Sequence, residues 1–223
     1  MTGLLLTAAL LLPRALWATP KPLPPPRVLA ATFSGVISPV AAEYLQAAVA
    51  QAAEGGYDAL VIELDTPGGL DLSMREIVKA LLSSTVPVVV YVSPSGARAA
   101  SAGVFITMAA HVAAMTPGTN IGAAHPVQLG GSASEKEKPA KDDVMDSKMT
   151  NDSRAYLQAI AARRGRSVEW AGLFVAQSTS IPSALAVSEN VVDFEADSLP
   201  ALLARIDGRK LADFKDAPLK TKD

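Results

Sequence analysis

Gly96-Ala97-Arg98-Ala99-Ala100-Ser101-Ala102-Gly103 follows directly on the apolar run 86–92, and this order of residues decides the fold. Val88-Val89-Val90-Tyr91-Val92 is a short β-branched run after Pro87 and reads as a buried strand. Ser93-Pro94-Ser95-Gly96 is turn chemistry. Val104-Phe105-Ile106-Thr107-Met108-Ala109-Ala110 then reads as a buried helix, so the stretch is strand, tight turn, helix. Ser101 falls at or near the first turn of that helix, between small residues that let another backbone approach. Free N–H groups at a helix start hold developing negative charge. A hydroxyl nucleophile there has half of an oxyanion hole beside it. The competing reading makes Ser101 a plain N-cap.

A second glycine-rich turn, Asp65-Thr66-Pro67-Gly68-Gly69, ends the apolar run 59–64, which reads as another buried strand. Glycine lets a backbone N–H face a ligand with no side chain in the way. This turn therefore supplies the second oxyanion donor if the two turns meet. Strands at 28–37, 59–64 and 86–92 alternate with helices at 39–53, 72–82 and 101–110. Ser38 and Pro39 open the first helix and Gly55-Gly56 stops it. Short strands at 112–115 and 120–123 follow, then helices at 146–164, capped behind by Gly165, and 168–177, capped by Ser167. Residues 183–194 hold a helical turn and a late strand, Asn190-Val191-Val192-Asp193, before a helix at 198–206. This alternation implies an α/β fold with a mostly parallel sheet flanked by helices. Sites in such sheets gather at the carboxyl ends of strands, where both glycine-rich turns lie.

The 223 residues fit one domain plus a short extension, and 49% hydrophobic content is enough to bury a core. Much of that share is alanine, so closely packed helices on a sheet are expected. A net charge of −2 without a basic block excludes nucleic acid as a partner. The absence of cysteine removes thiol catalysis, disulfides and cysteine-based metal sites. Two histidines, His111 and His125, leave little scope for a metal centre, and no metal or cofactor is expected.

Residues 1–18 hold a short apolar run, then Arg14 and Ala15-Leu16-Trp17-Ala18, and read as a signal peptide or N-terminal anchor with a cleavage site after Ala18. Residues 19–26 are a proline-rich linker. The domain is expected over 27–211, and the charged tail 212–223 is expected to fray. Residues 128–143 are polar and read as a flap over the site.

A serine nucleophile needs a base. His111 sits at the far end of the Ser101 helix, too far along the axis to reach back. His125, in Gly122-Ala123-Ala124-His125-Pro126, lies on a turn, but a serine–histidine pair wants a carboxylate to orient the ring, and the 168–177 helix offers only Glu169. Lys148 falls in the first turn expected for the 146–164 helix, just after the flap. The positive end of a helix disfavours a cation, and a closing flap would desolvate it. Both favour the neutral amine, which can act as a base. Lys136, Lys138 and Lys141 read as solvated.

Four motifs in order carry a resemblance. They are Asp65-Thr66-Pro67-Gly68-Gly69, the Ser95–Gly103 stretch, Met115-Thr116-Pro117-Gly118-Thr119-Asn120-Ile121-Gly122-Ala123-Ala124-His125-Pro126, and Lys148-Met149-Thr150-Asn151-Asp152. Together they resemble the NfeD-type membrane-bound serine proteases, also called stomatin operon partner proteins, of the wider ClpP/crotonase fold. The resemblance runs from Arg27 to about Leu211. It implies a Ser–Lys dyad, with Ser101 as nucleophile and Lys148 as general base, and Gly68 and Ala102 N–H groups as the oxyanion hole. Gly69 and His125 are then pocket residues. It implies an endopeptidase on the extracytoplasmic face of the membrane, cleaving apolar segments of a stomatin-like partner, and a homo-oligomer. Two other functions use the same frame: a crotonase-type enzyme on acyl-CoA thioesters, and a non-catalytic scaffold of a membrane microdomain.

Overall fold

A computed structural model describes residues 25–127 and 140–222. The signal-peptide reading of 1–18 and most of the linker and flap lie outside these residues.

The core is a five-stranded, all-parallel sheet in the order β1-β2-β3-β5-β8. The strands are β1 (Val28–Ser34), β2 (Ala59–Asp65), β3 (Val88–Val92), β5 (Val112–Met115) and β8 (Phe194–Glu195). Successive side chains point to opposite faces, so one strand feeds two cores. Leu60, Ile62, Leu64, Val88, Val90 and Val92 pack under the helices α1 (Pro39–Glu54), α2 (Asp71–Ser83) and α3 (Ala102–Ala109). Ala59, Val61, Val89, Tyr91 and Val112 pack on the other face against α7 (Leu199–Ile206) and the C-terminal segment. Burial on both faces is why these strands read as unbroken apolar runs rather than alternating ones.

The helix ends follow their sequence signals. The Ser38 hydroxyl accepts from Ala41 N–H and Pro39 opens α1. Ser167 caps α5 (Val168–Ala176) through Trp170 N–H, and Ser198 caps α7 through Ala201 N–H. Gly56 takes φ +63° just after α1.

Several expectations are corrected. β3 begins at Val88, not 86, because Pro87 has no N–H to give the ladder. A second, three-stranded sheet adds β4 (Arg98–Ala100), β6 (Asn120–Gly122) and β7 (Ser180–Pro182). Strands of three residues have no periodicity to read, and β4 and β7 exist only through pairing with distant chain. The late strand falls at Phe194–Glu195 rather than 190–193, where Asp193 instead turns inward to bond Ala113 N–H at 2.7 Å. The long helix α4 spans Ala140–Arg163 and so takes in the end of the expected flap.

The tail does not fray. The 3-10 turn Ala212–Phe214 and a Lys210–Pro218 bridge fold it back, and Leu211, Leu219 and Thr221 are buried. Its apolar residues complete the sheet face that α7 leaves partly open. Beneath it, Arg166 and Arg209 both pair with Asp193, and Arg164 pairs with Asp213.

Candidate active site

The two glycine-rich turns meet, as strand adjacency predicts. β2 and β3 pair in parallel, so their carboxyl ends lie side by side. Thr66 N–H donates to Arg98 O at 2.8 Å and Ala100 N–H to Thr66 O at 3.0 Å. The Asp65 carboxylate accepts from Arg98 N–H at 3.1 Å. The contact is so close that a Cβ on Gly68 would stand 2.5 Å from Ser101 Cβ, and one on Gly103 2.7 Å from Thr66 Cγ2. These are the approaches that the small residues permit.

Ser101 is not a plain cap. It occupies the N-cap position of α3 with φ 52° and ψ −113°, and its side chain makes no capping bond. A non-glycine residue there stores about 1–3 kcal/mol of backbone strain. The strain is held from both sides: Ser101 N–H donates to Gly122 O and its carbonyl accepts from Val104 N–H, each at 3.0 Å. With its hydroxyl released from capping, the side chain faces a cleft of about 740 Å³.

The cleft is lined by Val36, Leu70, Met74, Phe105 and Met149, with Ser101, Ala102, Gly69 and His125 at its working end. α3 is buried along its whole length and its first residue, Ala102, lines this cleft, so the positive end of the helix dipole acts there in low-dielectric surroundings. Gly68 N–H, expected as an oxyanion donor, donates to Thr66 Oγ1 at 3.0 Å. The next residue is oriented differently. Ile37 N–H donates to Gly68 O and Leu70 N–H to Ile37 O, both at 2.8 Å. By strand alternation the Gly69 N–H and C=O point away from Ile37, to the cleft that Gly69 lines. Gly69 must be glycine, because a Cβ would lie 2.1 Å from Ile37 O.

His125 reaches the cleft from the loop after β6. Its Nδ1–H donates to the Val175 carbonyl at 3.0 Å, which leaves Nε2 as the acceptor nitrogen. The α5 helix thus orients the ring through a backbone carbonyl, not through Glu169. His111 is at the opposite end of the sheet, as its place after α3 implies. It is buried, its Nδ1 accepts from Val88 N–H at 3.1 Å, and burial with the Arg164 cation pushes its pKa down to about 4.

Lys148 departs from expectation. α4 starts at Ala140, so Lys148 sits in the third turn, beyond reach of the helix dipole. It is exposed and does not line the cleft, whereas its neighbours Met149, Asp152 and Ser153 do. Among the described residues Ser101, Ala102, Gly69 and His125 come together, and Lys148 lies outside this group, one residue before the cleft-lining Met149.

The family model described as NfeD1b, N-terminal domain, matches residues 32–198. The chain belongs to this family.

The membrane-bound protease PH1510 of Pyrococcus horikoshii is 35% identical over 185 residues, which are 82% of this chain and 40% of that protein. The chain therefore spans less than half the length of this curated relative. A serine-to-alanine mutant of the 1510-N membrane-bound stomatin-specific protease superposes with TM-score 0.81 at 31% identity, covering 90% of this chain and 96% of that one. A lysine-to-alanine mutant of the same protease, in complex with a substrate peptide, superposes with TM-score 0.79 at 31% identity, covering 90% of each. ClpP1 from Listeria monocytogenes shares the fold, with TM-score 0.59 at 19% identity over 78% of this chain and 94% of that one. The NfeD1b domain here thus has the ClpP-like architecture expected from its motifs. Its relatives are membrane proteins, while no helix among the described residues is long and apolar enough to cross a membrane.

Sequence reasoning did not single out Arg75 or Tyr156, and gave no role to Asp152, the last residue of the Lys148–Asp152 motif. Arg75 ion-pairs with Asp71 and Asp152, and its guanidinium lies 4.4 Å over the Tyr156 ring. Arg75 and Asp71 at i,i+4 spacing are visible in sequence. The partner across the cleft is not.

Proposed function

We propose that this domain is a serine endopeptidase in which Ser101 attacks the scissile carbonyl. The observation that carries the reading is Ser101 itself: a strained, uncapped hydroxyl at the N-terminus of a buried helix, facing a cleft. Ala102 N–H and the 68–69 turn hold the oxyanion of the tetrahedral intermediate. Gly69 N–H fills the second position without rearrangement, while Gly68 N–H does so once the Thr66 hydroxyl turns away. The exposed backbone of Gly69 also pairs with an extended peptide, which sets the scissile bond beside Ser101.

Lys148 is the general base in this reading. The neutral amine takes the Ser101 proton and returns it to the leaving amine. From its place one turn before Asp152, its four-carbon stem swings to the cleft when substrate is seated. The serine and lysine mutants of the stomatin-specific protease, the second of them holding a substrate peptide, support this pairing by analogy. By the same analogy the substrate is an apolar segment of a stomatin-like membrane protein. The apolar lining by Leu70, Met74, Phe105 and Met149 suits such a segment. We place the domain on the extracytoplasmic face, acting as a homo-oligomer.

One observation favours a second base. His125 already lines the cleft with Ser101, and Val175 orients its ring. The deciding experiment is hydrolysis of an internally quenched peptide of leucine, valine and phenylalanine by the wild type and by Ser101→Ala, Lys148→Ala and His125→Ala. Ser101→Ala abolishes cleavage. Lys148→Ala lowers kcat by about 10²-fold or more, the range of general-base catalysis, and His125→Ala retains most of it. The reverse order for the last two assigns the base to His125. Undiminished cleavage by Ser101→Ala removes the serine protease reading.

A further inference from the structure

Arg75 joins the three elements that carry the proposed catalytic groups. It lies on α2, which begins directly after the Gly68-Gly69 turn. Its Nη2 donates to Asp152 on α4 at 2.5 Å, and its Nε to Asp71 at 2.8 Å. Its guanidinium covers Tyr156 of α4, and the Tyr156 ring stacks on Phe105 of α3 with centroids 5.9 Å apart. α3 starts at Ser101 and α4 carries Lys148. Arg75, Asp152 and Phe105 all face the cleft.

An exposed ion pair of this kind adds little to stability, so its weight lies in where it places charge. Asp152 is one helical turn after Lys148. Residues at i and i+4 on a helix are neighbours, and a carboxylate there pairs with a lysine ammonium. That pairing would hold the proton a general base has to lose. Arg75 takes up the Asp152 carboxylate from the other side of the cleft instead. Among the described residues, the other titratable groups lining this cleft and the pocket beside it are Asp146 on α4, Asp71 on α2 and His125 on the loop after β6.

We propose that Arg75 is a positioning residue for Lys148: it pins α4 to α2 and keeps the Asp152 carboxylate from the Lys148 ammonium. The inference rests on the Ser101–Lys148 reading above. It adds a device by which this chain keeps its base available.

The test reads the Lys148 proton directly. The full chain is reductively methylated with carbon-13 formaldehyde, and the Lys148 signal is assigned by its loss in Lys148→Arg. Its titration is then followed by nuclear magnetic resonance. In Arg75→Met the midpoint rises by about 0.2–0.3 pH unit, the worth of a freed i,i+4 pair. Arg75→Lys keeps the wild-type midpoint, and adding Asp152→Asn to Arg75→Met returns it to the wild-type value or below. On the quenched peptide at neutral pH, Arg75→Met lowers kcat about 1.5- to 2-fold, what that shift implies, with KM little changed. A midpoint unmoved in Arg75→Met, or raised equally in the double variant, overturns the proposal. If Arg75→Met does not fold, Arg75→Gln carries the same expectation. A wild type that cleaves nothing removes the protease reading, while the titration still decides what Arg75 does to Lys148.

Discussion

Replacing Gly68 by alanine tests the central contact of the site. Gly68 adopts φ +109°, a region an L side chain rarely enters, which costs about 1–3 kcal/mol. The added Cβ would also stand 2.5 Å from Ser101 Cβ and 3.1 Å from its Oγ, against the 3.4 Å at which ordinary contact begins. One of the two must therefore move by about 1 Å. Ile37 N–H holds the Gly68 carbonyl at 2.8 Å and Ser101 is held through both of its backbone groups at 3.0 Å, so whichever gives, the nucleophile shifts relative to the oxyanion turn. A displacement of about 1 Å at a nucleophile costs on the order of 10²-fold in rate. Gly56→Ala is the control. Gly56 has φ +63° with nothing within 4 Å of the methyl group an alanine would add, so it carries backbone strain without a collision. The expected result is a fall in kcat of about 10²-fold for Gly68→Ala, with Tm lowered by about 5–10 °C. Gly56→Ala loses about 2–4 °C and no activity. Peptide hydrolysis and thermal unfolding of the two variants, side by side, provide both numbers. Wild-type kcat in Gly68→Ala would show that Ser101 is not held against this turn, and the geometric argument for the site would fail.

The other predictions concern the far end of the sheet. The unfolded chain protonates His111 near 6.5, but the folded protein only near 4, through burial and the Arg164 cation against the weaker pull of Asp213. The folded state binds fewer protons across that window. Stability is therefore complete above about pH 6.5 and falls by about 3 kcal/mol as pH drops through 4; urea unfolding across this range measures it, and an equally steep acid limb in His111→Asn would refute the assignment. Asp193 holds Arg166 and Arg209 together and accepts from Ala113 N–H. Asp193→Asn leaves Arg166 buried without its counter-charge and costs about 3 kcal/mol in the same assay; a loss under about 1 kcal/mol would mean that the Arg166 cation is compensated elsewhere.

The alternation of Val/Ile/Leu runs with alanine-rich segments was enough to read β1, α1, β2, α2, β3, α3 and β5 in order, because periodicity and capping act over a few residues. The caps at Ser38 and Ser167 and the stop at Gly55-Gly56 are local in the same sense. What escaped the sequence depends on distant chain. β4 and β7 are three residues each and exist only by pairing with β6. The start of α4 could not be placed, because the polar residues before Lys148 carry no apolar period. The tail, read as charged and therefore loose, is anchored by Leu219 and Thr221, whose burial is visible only against α7 and the sheet.

The sequence by itself placed two glycine-rich turns at the carboxyl ends of parallel strands, where Ser101 and the Gly68-Gly69 turn could be neighbours. It could do so because strand order follows from short, right-handed connections, and glycine marks where backbones must approach. The tertiary structure alone decided the rest of the site. Whether Gly68 or Gly69 turns its N–H to the cleft depends on the bonds with Ile37. The His125 tautomer depends on the Val175 carbonyl, fifty residues away. The surroundings of Lys148 depend on where α4 begins and on Arg75 reaching across to Asp152. Hydrogen bonds and charge pairs of this kind act only over a few ångströms, so they take effect only once the fold has brought their partners together.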